Sequence, residues 1–186
     1  MSFSLESERL LIRNLRDSDL DDFFLYRSNP QITKFQGFDT YTNKEQAMNF
    51  ISSMKDKKFG LEGEWLQLGI ILKSQIESDN KLIGDCAVNI SDNTAQIGCT
   101  ISNLHQKKGY AKEVLHMLMK YLFEEHNIRR IVETTDEENI SAQKLLESLG
   151  FRKEGLFIEN CFIKGKWCND IQYAMLKSEW DLKNNS

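Results

Sequence analysis

The stretch Cys99-Thr100-Ile101-Ser102-Asn103-Leu104-His105-Gln106-Lys107-Lys108-Gly109-Tyr110-Ala111 begins as a strand, passes through a polar loop and enters an amphipathic helix. A glycine at such a junction leaves several backbone N–H groups unpaired at the positive end of a helix dipole, a natural cradle for a pyrophosphate. Lys107, Lys108 and Lys112 add positive charge around it. With main-chain donors, residue identity matters chiefly where backbone must approach phosphate closely, at Gly109 and the small Ala111. The loop is neither GxxxxGK[ST] nor GxGxxG.

Outward from this loop, Ala111, Val114, Leu115, Leu118 and Leu122 share one face, which predicts a helix of about four turns starting near Gly109. Upstream, strands are expected over 65–72, 82–90 and 95–102, separated by the turn-rich Ser78-Asp79-Asn80-Lys81 and Ser91-Asp92-Asn93. Arg9 to Leu15 reads as a strand, and Asp17 or Ser18 offers a helix cap ahead of Leu20, Phe23, Phe24 and Tyr26. After the break at Ser28-Asn29-Pro30, Asn43 can cap a second helix carrying Ala47, Phe50, Ile51 and Met54. Downstream, Arg130 to Thr134 reads as a strand, and Ala142, Leu145, Leu146 and Leu149 form a helix ended by Gly150. Two closing strands over 155–163 and 169–176 flank Lys164-Gly165-Lys166. The order β, α, α, β, β, β, α, β, α, β, β predicts an α/β fold, a mixed sheet with helices on both faces. No linker, repeat or low-complexity tract interrupts it, so one domain over 1–186 is expected.

The 186 residues, 40% of them hydrophobic, can bury a substantial core. A net charge of -4 argues against nucleic acid, whose phosphates call for a basic stripe. The opening Met1-Ser2-Phe3-Ser4-Leu5-Glu6 lacks the parts of a signal peptide, and the longest aliphatic stretch, near 68–72, is too short to span a bilayer. No membrane association and a cytoplasmic location are therefore expected. Cys86, Cys99, Cys161 and Cys168 show no zinc-ligand spacing and read as reduced thiols, with no metal expected.

Gln106-Lys107-Lys108-Gly109-Tyr110-Ala111 matches Q/R-x-x-G-x-G/A, and Glu138-Asn139-Ile140-Ser141-Ala142-Gln143-Lys144-Leu145-Leu146-Glu147-Ser148-Leu149-Gly150-Phe151 places an Asn before a short helix ending in Leu-Gly-Phe. In this order and on these elements, the two resemble the hallmarks of the GNAT superfamily of N-acetyltransferases. The segments Glu8 to Arg13, Leu82-Ile83-Gly84, Ala95-Gln96-Ile97-Gly98, Lys153-Glu154-Gly155 and Lys164-Gly165-Lys166-Trp167 through Asp170 to Glu179-Trp180 resemble the branch of ribosomal-protein N-terminal (Rim-type) and spermidine acetyltransferases. Together they cover about residues 8 to 181.

The resemblance implies central strands that splay apart near Ile101 and Glu133 and acetyl-CoA as co-substrate lying in the opening. Ile101 main chain would pair with the pantetheine amides, and the loop Gln106, Lys107, Lys108, Gly109, Tyr110 and Ala111 would take the pyrophosphate. Asn139 would hold the far end of the pantetheine arm, with Lys144 completing the cofactor set. A neutral primary amine would attack the thioester directly in a ternary complex. Glu133, Ser141 and Asn139 are the catalytic candidates, Glu133 as a base acting through water. Glu133 also reads as an edge carboxylate, and Ser141 as a helix cap.

The chain departs from the family pattern at several places. Leu146 stands where many members carry a Tyr general acid, Ala142 where the branch often carries Ser, and Gln96 and Cys99 where relatives often have Glu and Tyr. His105 reads as a cofactor contact or a solvated loop residue, His116 and His126 as helix-face and helix-end residues. Phe35, Phe38, Tyr41 and Trp65 read as acceptor-pocket lining or as core. Asp17, Asp19, Asp21 and Asp22 suit the positive end of a helix. The acceptor expected is a peptide α-amine, a polyamine or another small amine, and the alternative is a CoA-binding module without transferase activity. Relatives of this kind are often dimers, which leaves a homodimer as an option.

Overall fold

Leu66, Leu68 and Ile70, spaced by two, lay one face of a strand on a core, while Ile71 packs into a second core on the opposite face. The computed structural model describes residues 3–76 and 80–184, so Met1, Ser2 and the Ser78 and Asp79 half of one expected turn lie outside it. Eight strands form one sheet: β1 (Ser4–Glu6), β2 (Leu10–Asn14), β3 (Leu66–Leu72), β4 (Lys81–Ser91), β5 (Thr94–Ile101), β6 (Arg130–Asp136), β7 (Arg152–Ile163) and β8 (Lys166–Leu176). Their spatial order is β1-β2-β3-β4-β5-β6-β8-β7. Neighbours run antiparallel except β5 and β6, which are parallel.

Helices α1 (Leu20–Arg27), α2 (Pro30–Thr33) and α3 (Lys44–Met54) cover one face, where Phe23, Tyr26, Ile32, Ala47 and Ile51 pack on Leu15, Ile71 and Leu82. On the other face, α4 (Tyr110–Lys120), α5 (Ile140–Leu149) and α6 (Lys177–Asn184) bury Val114, Leu118, Leu146 and Trp180 against a larger core that includes Ile83, Cys86, Ile97 and Ile131. Helices on both faces of a mixed sheet are as expected. Among the described residues no helix is long and apolar enough to cross a membrane.

Local chemistry sets the turns and caps. Asp92 and Asn93 (φ 48° and 59°), like Lys164 and Gly165 (φ 51° and 82°), are consecutive left-handed residues, the tight hairpin geometry that follows the twist of paired strands. Asn43 caps α3 by accepting from Gln46 N at 3.0 Å, as its position before the apolar period predicts. The expected cap at Asp17 or Ser18 is not observed. Those residues open a 3-10 turn, and Asp19 instead accepts from Arg16 N at 2.7 Å and pairs with Arg13.

Three further elements are β1, α2 and α6. At Ser28-Asn29-Pro30 the break is itself a helix start, because Pro30 fixes φ at the first helical position and Asn29 accepts from Gln31 N. Beyond α4 the chain widens into a π-helical turn over Tyr121–Glu125, closed by His126 N donating to Tyr121 O.

The central seam is short. β5 and β6 pair only at Thr94↔Arg130, Ala95↔Ile131 and Gln96↔Val132, yet continue to Ile101 and Asp136. Past that point they part, as the expected splay requires.

Candidate active site

Unpaired main chain lines the opening. Ser102 N donates to Ile83 O at 2.8 Å, and β4 and β5 keep an unbroken register through Gly84↔Ile101 and Cys86↔Cys99. Antiparallel pairs alternate between bonded and non-bonded, so the amide groups of Cys99 and Ile101 face away from β4, into the gap that β6 has left. The Ile101 carbonyl there accepts from Gln106 Nε2 at 3.0 Å, joining two expected cofactor residues.

A 3-10 turn over Asn103–His105 leads into the loop, where Lys107 (φ 61°) and Gly109 (φ 83°) are left-handed and α4 starts at Tyr110. Helices α2, α3 and α5 each have an Asn side chain capping the N-terminus, whereas no side chain caps α4. Its first N–H groups are therefore free for an anion, and Lys107, Lys108 and Lys112 are exposed around them. This arrangement fits the diphosphate of coenzyme A. Arg9 braces the loop: it donates to Lys108 O at 3.2 Å, pairs with Glu113 and stacks over the Tyr110 ring at 4.8 Å. His105 Nδ1 is buried without a partner among the described residues, and burial, reinforced by the Lys108 charge, holds the imidazole below its ordinary pKa.

Beside the opening lies a cavity of about 530 Å³. Gln67, Gln96, Cys99, Glu133 and Thr134 line it from the sheet, and Gln36, Phe38 and Trp65 line it from outside the strands. Glu133, the first residue of β6 past the paired seam, is half-buried, and its side chain has no hydrogen bond or ion pair among the described residues. Its Oε1 sits opposite Gly98, 4.0 Å from where a β-carbon would be. Burial pushes its carboxyl well above the usual carboxylate range. The Cys99 thiol is pushed up by burial, then by the charges of Asp85 and Glu133. Of the four aromatics in question, Phe38 and Trp65 line the cavity, while Tyr41 packs with Phe23 in the core and Phe35 sits beneath Lys34.

Below the cavity is a buried polar network. Asp85 is fully buried; its Oδ2 accepts from Arg27 Nε (3.1 Å), Arg27 Nη2 (2.8 Å) and the Tyr26 hydroxyl, and its Oδ1 from Gln67 Nε2. Phe38 covers the Arg27 guanidinium, 3.6 Å from ring centre to Cζ.

Residues 9–152 match the acetyltransferase (GNAT) domain family. An uncharacterized N-acetyltransferase, p20 of Bacillus licheniformis, is 34% identical over 180 residues, covering 95% of this chain and 98% of its own. The chain belongs to the GNAT acetyltransferase family. The [ribosomal protein uS5]-alanine N-acetyltransferase of Escherichia coli is 30% identical over 84 residues, 45% of this chain and 43% of its own. A GNAT-family acetyltransferase from Bacillus anthracis superimposes with a TM-score of 0.82 at 27% identity, over 95% of this chain and all of the other. The spermidine N-acetyltransferase of Vibrio cholerae, solved with CoA and spermine, superimposes with a TM-score of 0.77 at 21% identity, covering 94% and 99%. The resemblance to Rim-type and spermidine acetyltransferases is thus borne out, and the chain is an N-acetyltransferase by family.

In this GNAT chain Asn139, rather than Ser141, is the cap of α5. Its Oδ1 accepts from Ala142 N and from the Ser141 hydroxyl, both at 3.2 Å, which leaves Nδ2 without a partner among the described residues. Ser141 and Lys144 are exposed on α5, and neither lines the cavity that Glu133 borders. Leu146 is core, 2% exposed, an apolar side chain with no proton to give. His116 packs on Trp180, and His126 on Phe59 and Tyr121. Asp17, Asp19 and Asp21 pair with Lys55, Arg13 and Lys44 respectively.

Sequence reasoning missed Asp85, Arg27, Gln67 and Arg9 as neighbours of the GNAT site. Asp85 did carry a signal, for a carboxylate inside the apolar run Leu82-Ile83-Gly84-Asp85-Cys86-Ala87 must find a partner when its strand is buried.

Proposed function

We propose that this GNAT protein transfers an acetyl group from acetyl-CoA to a primary amine seated in the cavity between β5, β6 and the 36–38 loop. The carrying observation is the juxtaposition of the unpaired Cys99 and Ile101 N–H groups, an enclosed Glu133 carboxyl and an α4 N-terminus without a side-chain cap around one break in the sheet. Acetyl-CoA supplies the activated acetyl thioester. The N–H groups from Tyr110 onward, with Lys107 and Lys108, hold the diphosphate, and Gln106 keeps the loop against Ile101. Asn139, through Nδ2, and Lys144 would complete the set of residues holding the cofactor.

Glu133 takes the proton from the amine, directly or through one water. Its raised pKa makes it a stronger base than an ordinary carboxylate, and an α-amine, at about 7.7 to 8.0, needs less help to lose its proton than a lysine amine at about 10.4. The N–H groups of Cys99 and Ile101, which face away from β4, would serve as donors to the charge that develops on the carbonyl oxygen. Ser141 bonds to Asn139 and acts, in this reading, through it.

Calorimetry with acetyl-CoA, followed by thiol release in the presence of amines, tests the proposal. Saturable binding with amine-dependent release is expected, and absence of binding by folded protein would overturn it. Leu146 in place of the tyrosine acid favours a second reading, a CoA-binding module. That reading expects binding with no thiol release for any amine.

A further inference from the structure

We propose that Gln67 binds the acceptor, that Asp85 is the positioning residue aiming it, and that the cavity selects monoamines whose other polar groups are uncharged. The inference rests on the transferase reading above and names its acceptor class.

Asp85, ion-paired with Arg27, can only accept hydrogen bonds. Gln67 must therefore turn Nε2 toward Asp85 Oδ1, which decides the orientation of the amide by chemistry. Its Oε1 is left with no partner among the described residues, on a side chain that lines the cavity. The amide cannot rotate without setting its carbonyl oxygen against a carboxylate, so the cavity is offered a fixed acceptor.

The charges behind it do not reach the cavity. Arg27 and Asp85 are 1% and 0% exposed and neutralise each other, and the Phe38 ring lies over the guanidinium. Of the described residues lining the cavity, Glu133 alone carries a carboxyl, the buried Cys99 thiol is held neutral, and the other polar side chains include the amides of Gln36, Gln67 and Gln96. A second ammonium drawn inside would lose its water without gaining a fixed anion. An amine whose own N–H, or whose neighbouring amide or hydroxyl, donates to Gln67 Oε1 meets a matching wall, with Trp65 and Phe38 for its apolar part.

The test is steady-state kinetics by thiol release at saturating acetyl-CoA, with an alanine tripeptide amide, tyramine, glucosamine, spermidine and spermine as acceptors. Wild type is expected to favour its best monoamine over either polyamine by about tenfold or more in kcat/KM, the effect of an uncompensated buried charge. Gln67→Met keeps the length of the side chain but neither donates nor accepts. It is expected to raise the KM of that monoamine about tenfold, one hydrogen bond's worth, leaving kcat and the KM of acetyl-CoA within about twofold. A merely structural Gln67 would change the melting temperature or kcat and leave the acceptor KM alone, and that result overturns the proposal. Preference for a polyamine by wild type overturns it without recourse to any variant. In both cases transfer itself is intact and the transferase reading stands, whereas no thiol release with any amine would sink both.

Discussion

Glu133 combines two properties that pull against each other, an enclosed position and a carboxyl without a partner. Replacing it by Gln is expected to lower kcat/KM about 10²-fold, the usual contribution of a positioned base, and to remove the acidic limb from the pH profile of transfer. A carboxyl whose folded pKa is raised lends stability below its ordinary value, about 4.3, and loses it as pH rises through the folded value. Glu133→Gln should therefore melt like wild type near pH 4 and higher than wild type at pH 8, by about 2–4 °C if the relief is about 1 kcal/mol. Asp85→Asn tests the opposite case: it leaves Arg27 buried without its counter-charge and should cost about 3–5 kcal/mol, read by chemical denaturation. Glu133 was legible in the sequence only through family resemblance, since nothing in Arg130-Ile131-Val132-Glu133 says which neighbours its carboxyl will lack. Asp85 was legible as an anomaly, but its partners lie on α1 and β3, far away along the chain.

Among the elements, β4 and β5 pack so that an added β-carbon at Gly84 would overlap the backbone carbonyl oxygen of Thr100. Because backbone cannot yield as a side-chain tip can, Gly84→Ala is expected to destabilise by about 1–3 kcal/mol in denaturant titration. At the head of α4, a β-carbon at Gly109 would meet only Arg9 Nη2, at an ordinary contact distance of 3.7 Å, which makes its left-handed φ the deciding factor. Gly109→Val should strain the loop by about 1–2 kcal/mol. It is expected to raise the KM of acetyl-CoA while leaving the acceptor KM unchanged, which separates the two sites kinetically. Elements with a sustained apolar period, such as α3, α4, β3 and β4, could be read from the sequence because each carries its own pattern. β1 has three residues, α2 has four and α6 depends on one buried Trp180, so none repeats long enough to announce itself. Asn139 shows the same limit at a cap: both it and Ser141 are capping residues by type, and only the backbone geometry decides between them.

At the scale of the whole molecule, a chain of charges ties β6, β7 and α6 together through Arg130, Glu154, Arg152 and Glu179. Arg130 foremost, then Arg152, holds the Glu154 carboxyl down to about 2. A depressed carboxyl lends stability above its ordinary value and loses it as pH falls through the folded one. Wild type should therefore lose melting temperature between about pH 4 and pH 2, and Glu154→Gln should lose less over that interval. Solvent screening keeps the difference to about 1 kcal/mol. By itself the sequence determined the strands and helices with strong periods, the two left-handed hairpin turns and the glycine loop ahead of α4, because each depends on residues adjacent in the chain. Only the tertiary structure decided where β5 parts from β6, which aromatics face the cavity, and that Asp85 turns Gln67 toward it. Those features depend on strands and helices distant in sequence being packed together, and on the charges that packing leaves without water.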